Sequence, residues 1–171
     1  MKTAMGLLLA VAATAVQADN VSTNVNLGGS ATEQSAAFGV THLEEGAFFD
    51  TFNFSPSSGT YSVNASLVTL GFTPSTDVTF TAANVNGHEL TLSGPGLFEY
   101  GYLLPAAITG PLVLTVYGYV NFEDTSFTPA SASYAGTLTI NAVPEPGAYV
   151  LLLAGLGVVG AAGFSRRRQG A

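Results

Sequence analysis

Between Asp19 and Asn141 the apolar residues alternate with polar ones or come in short bursts closed by Gly, Pro, Asn or Ser, and no stretch follows a helical period. Val78, Phe80 and Ala82 alternate with Thr79 and Thr81, and beyond Asn86-Gly87 the residues Leu90 and Leu92 alternate with Glu89 and Thr91. Both central residues of a type I′ turn need positive φ, which Asn and Gly supply, so the pattern predicts a hairpin over 78–92. Further strands are predicted over 47–54, 60–72, 97–104, 111–122 and 134–141. Tyr61, Val63, Ala65 and Leu67 share one parity, as do Leu112, Leu114 and Val116, and again Leu138 and Ile140. Six to eight strands with polar opposite faces imply two stacked antiparallel sheets, a single jelly-roll-like β-sandwich. Loops fall at 55–59, 94–96 and 128–131, where Pro, Gly and Ser cluster. There is no internal repeat and no second domain in the 171 residues.

The ends have a different pattern. Lys2 precedes an apolar run over 4–15, and Val16-Gln17-Ala18 places small residues at −3 and −1 of a cut before Asp19. This is the layout of a cleavable secretory signal, residues 1–18, handled by the Sec machinery and signal peptidase. At the other end Pro144-Glu145-Pro146 precedes an apolar run over 148–164, then Ser165 and Arg166-Arg167-Arg168. Seventeen helical residues extend about 25 Å, just short of a hydrocarbon core of about 30 Å, so the run predicts one C-terminal transmembrane helix. The arginines orient it, because positive residues beside a span stay cytoplasmic. The domain, residues 19–142, is then on the outside. Pro144 and Pro146 lack N–H donors and hold Glu145 in an extended segment that cannot join the helix beside it.

Pro144, Glu145 and Pro146, a short span containing Gly155, Gly157, Gly160 and Gly163, and the cluster Arg166, Arg167 and Arg168 resemble the tripartite PEP-CTERM sorting signal of Gram-negative bacteria. The resemblance covers residues 143–171. It implies recognition by an exosortase, a membrane-embedded cysteine transpeptidase-like enzyme, which cuts near the PEP motif and passes the protein to the cell surface or the exopolysaccharide matrix. A second likeness is Phe48-Phe49-Asp50-Thr51-Phe52, which is similar to the F-x-D-x-F element (Phe48, Asp50, Phe52) of one PEP-CTERM subgroup. The family supplies a sorting route and no biochemical activity.

Charge sharpens this picture. All four cations, Lys2 and Arg166 to Arg168, lie in the terminal segments, and 19–143 holds ten carboxylates, two histidines and no Lys or Arg. Phosphate backbones are gripped by cations, so nucleic acid is excluded as a partner. With no cysteine there is no disulfide, thiolate nucleophile or Cys-bound metal. A strand places Phe48, Asp50, Phe52 and Phe54 on one face. A buried Asp50 must find hydrogen-bond donors, and these must be backbone N–H, hydroxyl, amide or His groups. Two roles fit it: a cap at a strand end beside a turn or bulge, or a ligand for a cation or sugar.

The sequence assembles no catalytic constellation. There is no nucleophile elbow and no phosphate-binding Gly loop. His88-Glu89 begins a zincin-like pair, but the position for the second ligand is Leu92, and the parity of His88 with Leu90 and Leu92 makes it a core-edge histidine. Glu44-Glu45 and Glu123-Asp124 are sequence neighbours that would point opposite ways in a strand, unlike a paired-carboxylate site. The chain therefore reads as an exported, exosortase-sorted structural protein of the surface or biofilm matrix, with no catalytic residue, metal or cofactor. The alternative is a secreted carbohydrate-binding module in which Tyr100, Tyr102, Tyr117 and Tyr119 form a platform. Because residues 3–165 contain no Lys or Arg, trypsin should leave them as one fragment even in urea, as read by mass spectrometry. Specific internal cleavage would contradict that expectation.

Overall fold

The computed structural model describes residues 18–71, 73, 76–121, 131–143, 147 and 150–158. Eleven strands appear among them, in two sheets. In chain order they are β1 (Ser22–Asn26), β2 (Gly28–Gly29), β3 (Glu33–His42), β4 (Gly46–Ser55), β5 (Thr60–Thr69), β6 (Asp77–Val85), β7 (His88–Glu89), β8 (Thr91–Leu92), β9 (Tyr100–Thr109), β10 (Leu112–Asn121) and β11 (Ala132–Ala142). One sheet runs β1-β4-β10-β6-β7 and the other β2-β3-β11-β5-β9-β8. All pairs are antiparallel except β1 with β4. That parallel edge departs from the antiparallel, jelly-roll-like arrangement predicted. The seven long strands, β3 to β6 and β9 to β11, alternate between the two sheets along the chain, with the short β7 and β8 intervening between β6 and β9.

The alternation works as the sequence implies. Phe48, Phe52 and Phe54 of β4, Leu112, Leu114, Val116 and Val120 of β10, and Val78, Phe80 and Val85 of β6 point inward from one sheet. Phe38 and Val40 of β3, Tyr134, Leu138 and Ile140 of β11, and Val63, Ala65 and Leu67 of β5 meet them from the other. Each fully buried side chain of this size contributes about 1.5–3 kcal/mol. The rings interlock across the gap: Phe38 lies 4.6 Å from Phe52 and 5.9 Å from Phe54, centroid to centroid.

Two bulges bend this scaffold. Tyr117 pairs with Ala82 but Gly118 with Phe80, which leaves Thr81 as the extra residue in β6. Val63 pairs with Ala106 and Ala65 with Leu103, so Leu104 and Pro105 together oppose Asn64. A proline is tolerated at such a bulge because no ladder donor is needed there. This is why β9 continues past Pro105, beyond the predicted end at Leu104. It also begins later than predicted, at Tyr100. The Asn86-Gly87 turn has positive φ at both residues, 49° and 82°. Its return arm pairs through His88 and Glu89, with one more bond from the Leu90 N–H to the Ala83 carbonyl at 2.8 Å, after which β8 joins the other sheet. β1, β2 and β3 carry too few large apolar residues to have been picked out by pattern.

Sheet register puts a glycine opposite a phenylalanine on each central strand: Gly118 faces Phe48 and Gly136 faces Phe38. The rings lie over the bare backbone, and a Cβ on either glycine would run into them. The strands define two ends. At one lie His42, Gly46, Thr69, Asp77 and Tyr100; at the other lie Asn26, Ser55, Thr60, Val85, Thr109 and Ala142. The C-terminal helix is described at Gly147 and at 150–158, with exposed side chains, and the remainder of the predicted span lies outside the described residues. No helix among the described residues is long and apolar enough to cross a membrane.

Gly136→Ala should cost about 1–3 kcal/mol through overpacking against Phe38 and the Ser66 carbonyl. Gly28→Ala, with open space around it, should change stability by less than about 0.5 kcal/mol. Urea unfolding midpoints of the two variants check both.

Candidate functional site

Alternation along β4 turns Phe48, Asp50, Phe52 and Phe54 to the interior, and Asp50 has no exposed surface at all. It sits mid-strand, opposite Val116 of β10, and not at a strand end as expected for a cap. Its carboxylate collects three donors. Oδ1 accepts the Val21 N–H at 2.8 Å, and Oδ2 accepts the Tyr134 hydroxyl at 2.5 Å and His42 Nε2 at 3.0 Å. A carboxylate only accepts, so Nε2 carries the proton of this bond. His42 Nδ1 is buried and has no hydrogen-bond partner among the described residues.

The donors are a backbone amide, a hydroxyl and an imidazole, the types required where no Lys or Arg is available. His42 and Tyr134 belong to β3 and β11 of one sheet, whereas Asp50 and the Val21 segment belong to the other. The cluster therefore joins the two layers. Phe48 stacks on the His42 ring at 4.3 Å, and Phe52 and Phe80 approach Tyr134 edge-on. Burial, then the hydrogen bond to Asp50 and its negative charge, push the Tyr134 phenol far above its ordinary range. His42 and Tyr134 are each 1% exposed and Asp50 has no exposed surface. The cluster supports the fold and offers no surface to a substrate.

Sequence reasoning singled out Asp50 but not its partners. The alternation of Phe38, Val40 and His42 is the available signal for one of them, and the sequence around Tyr134 signals a strand and nothing more. Glu99 is a second buried carboxylate that the sequence did not flag. Oε2 accepts the Phe80 N–H at 2.9 Å, beside the β6 bulge, and Oε1 accepts the Gly96 N–H at 3.1 Å. Its own N–H donates to Thr69 Oγ1 at 2.8 Å. Glu99 too reaches from one sheet to the other. His88 is exposed, not at the core edge as predicted, because it directly follows the Asn86-Gly87 turn on β7, the edge strand of its sheet. Among the described residues no three His, Asp or Glu side chains are grouped to hold a metal ion.

Ala18 is buried and its N–H donates to the Ala47 carbonyl at 2.9 Å, while Asp19 is exposed. A cut between them removes one buried methyl and one backbone bond, about 1–2 kcal/mol in all. Asp19, Glu44, Glu45 and Asp77 gather at the end opposite Ala142. Pro144, Glu145, Pro146, Arg166, Arg167 and Arg168 lie outside the described residues, as does the apolar run over 4–15. The geometry bearing on them is that β11 remains paired through Ala142, next to Tyr61, and is followed directly by Val143.

A family model described as the PEP-CTERM protein-sorting motif matches residues 142–168. The chain carries a PEP-CTERM sorting motif. That motif implies exosortase processing and is consistent with an exported, membrane-anchored precursor. No curated protein matches the chain. Among solved structures, the chain is similar to Aeromonas hydrophila PliG, a periplasmic inhibitor of g-type lysozyme, at 13% identity and a TM-score of 0.31, covering 72% of this chain and all of that one. Similarity to Salmonella Typhimurium PliG is at 17% identity and a TM-score of 0.25, with 69% and 97% covered. With TM-scores this low the likeness assigns neither ligand nor activity. The PEP-CTERM motif thus begins at the last residue of the folded sandwich.

Tyr134 is expected to keep its proton in the folded protein at pH 11, where the unfolded chain loses it above a pKa of about 10. The folded state then binds more protons than the unfolded one. The contribution of Tyr134 is complete below pH 10 and declines by about 1.4 kcal/mol per pH unit above it. Ultraviolet phenolate titration with parallel urea unfolding checks this: Tyr134→Phe should flatten the alkaline decline.

Proposed function

We propose that this protein is an exosortase-sorted structural component of the cell surface or extracellular biofilm matrix, with the β-sandwich as non-catalytic cargo. The observation that carries the reading is the sorting motif over 142–168, which starts where β11 ends. In this reading signal peptidase cuts between Ala18 and Asp19, and the 148–164 segment anchors the precursor in the membrane with Arg166, Arg167 and Arg168 inside. Pro144, Glu145 and Pro146 then present an unpaired, extended strand to the exosortase. Phe48, Asp50 and Phe52, all buried on one face of β4, support assignment to the F-x-D-x-F subgroup. A non-catalytic role is supported by the burial of the His42–Asp50 pair away from solvent.

A second reading, a carbohydrate-binding module, is favoured by one observation: Tyr100, Tyr102, Tyr117 and Tyr119 all remain at least 40% exposed. It is compatible with the same sorting route.

Expressed in a Gram-negative host with an active exosortase, the surface-localised protein should begin at Asp19 and lack Arg166 to Arg168 by intact mass. Replacing both Pro144 and Pro146 with alanine should hold the precursor in the membrane fraction. An uncut tail on protein recovered at the surface would overturn the sorting model.

A further inference from the structure

The outer faces of β4 and β10 in one sheet, and of β5 and β11 in the other, carry no charged side chain; in the first sheet the nearest are Asp77 at the start of β6 and Glu89 on β7, the register partner of Asn84. On the β1-β4-β10-β6-β7 face, Phe49, Tyr117 and Tyr119 project outward at 39%, 40% and 40% exposure. Phe49 and Tyr117 are register partners, with ring centroids 4.8 Å apart and planes inclined at 42°. Tyr119 follows two residues on, about 7 Å along the strand. On the β6 side the register partners are Ala82 and Thr79, small residues that leave the rings standing above their surroundings. The next row toward the Ala142 end holds Thr51 and Asn84, both half-exposed. The patch is thus an aromatic ledge beside the β6 bulge, flanked by hydroxyl and amide groups.

We propose that this face binds a neutral polysaccharide, with Phe49, Tyr117 and Tyr119 stacking on the apolar faces of successive sugar rings. Thr51 and Asn84 supply hydrogen bonds to ring hydroxyls. The ligand class follows from charge. Residues 19–143 contain no Lys or Arg, so uronate, sulfate or phosphate groups meet no cation and ten carboxylates. A nucleic acid or anionic lipid surface is disfavoured for the same reason. A second copy of the chain would bring two strongly anionic bodies face to face. An uncharged polymer is repelled by none of this, and it offers CH-rich faces to the rings and hydroxyls to their neighbours. The inference rests on the extracellular, non-catalytic reading above, but it concerns binding by the purified chain, so its failure leaves the sorting route untouched.

Affinity electrophoresis of the full chain in detergent, through native gels containing hydroxyethylcellulose, dextran, galactomannan or alginate, tests it. Retardation is expected in at least one neutral gel and not in alginate. Tyr117→Ala/Tyr119→Ala should weaken the apparent Kd by about tenfold or more, and Tyr117→Phe/Tyr119→Phe, which keeps the rings, should stay within about threefold. Ala82→Glu, which adds a charge beside Tyr117 and removes no ring, should also abolish retardation and covers the case in which the alanine pair fails to fold. Tyr100→Ala/Tyr102→Ala, on the other sheet, should leave binding unchanged. Free migration in every neutral gel, equal retardation in alginate, or equal loss in the Tyr100/Tyr102 variant would each overturn the proposal. So would a dimer in sedimentation velocity that Tyr117→Ala/Tyr119→Ala dissolves, since the face would then belong to a second copy.

Discussion

A carboxylate placed in an apolar interior must be supplied with donors, and in this chain none of them can be a lysine or an arginine. Asp50 meets that constraint by drawing on three separate segments: the backbone before β1, the end of β3 and the start of β11. Hydrogen bonds to a charged group contribute about 1.5–3 kcal/mol each, and a donor stranded without its acceptor costs a comparable amount. The arrangement is therefore directional in a way that the surrounding Phe and Leu contacts are not. Apolar contacts fall off gradually with a small displacement, whereas three donors converging on one carboxylate lose their geometry at once. Glu99 repeats the device at another point, fixing the β6 bulge against the start of β9.

The need for such pins follows from the connectivity. Chain-consecutive long strands mostly fall in opposite sheets, so nearly every ladder joins segments distant in sequence, as in β11 with β3 and β5. Local turns specify little of this. Asn86 is an exception of another kind: its Nδ2 donates to the carbonyls of Thr109 and Pro111, and its Oδ1 accepts the Val113 N–H. A residue selected for positive φ in one turn thereby also clamps the neighbouring turn.

Much of the sandwich was legible because burial on one face imprints a period of two. The strands containing Phe48, Val63, Leu114 and Leu138 were readable for that reason. Ser22, Thr23 and Asn24 of β1 were not, because an edge strand with both faces wet carries no such imprint. The continuation of β9 through Pro105 was hidden by a bulge that pattern alone does not reveal. Of the buried cluster, parity identified Asp50 as inward-facing and composition limited its partners. His42 and Tyr134 could not be chosen from sequence, since the 91 residues between them close up only in the folded sheet. The sorting motif over 142–168, by contrast, was readable because its information is linear: prolines, an apolar run and arginines in order.

The position of β11 has a mechanical consequence. It is flanked by β3 on one side and β5 on the other, paired along nearly its whole length, and it is the strand that leaves the domain toward the sorting segment. Antiparallel hydrogen bonds run perpendicular to the strands, so tension applied through Val143 along β11 would load both ladders in shear, many bonds at once, instead of peeling them one at a time. A domain suspended by an edge strand would unzip under the same pull. Hung from the middle of its sheet, this one is built to be held by its tail.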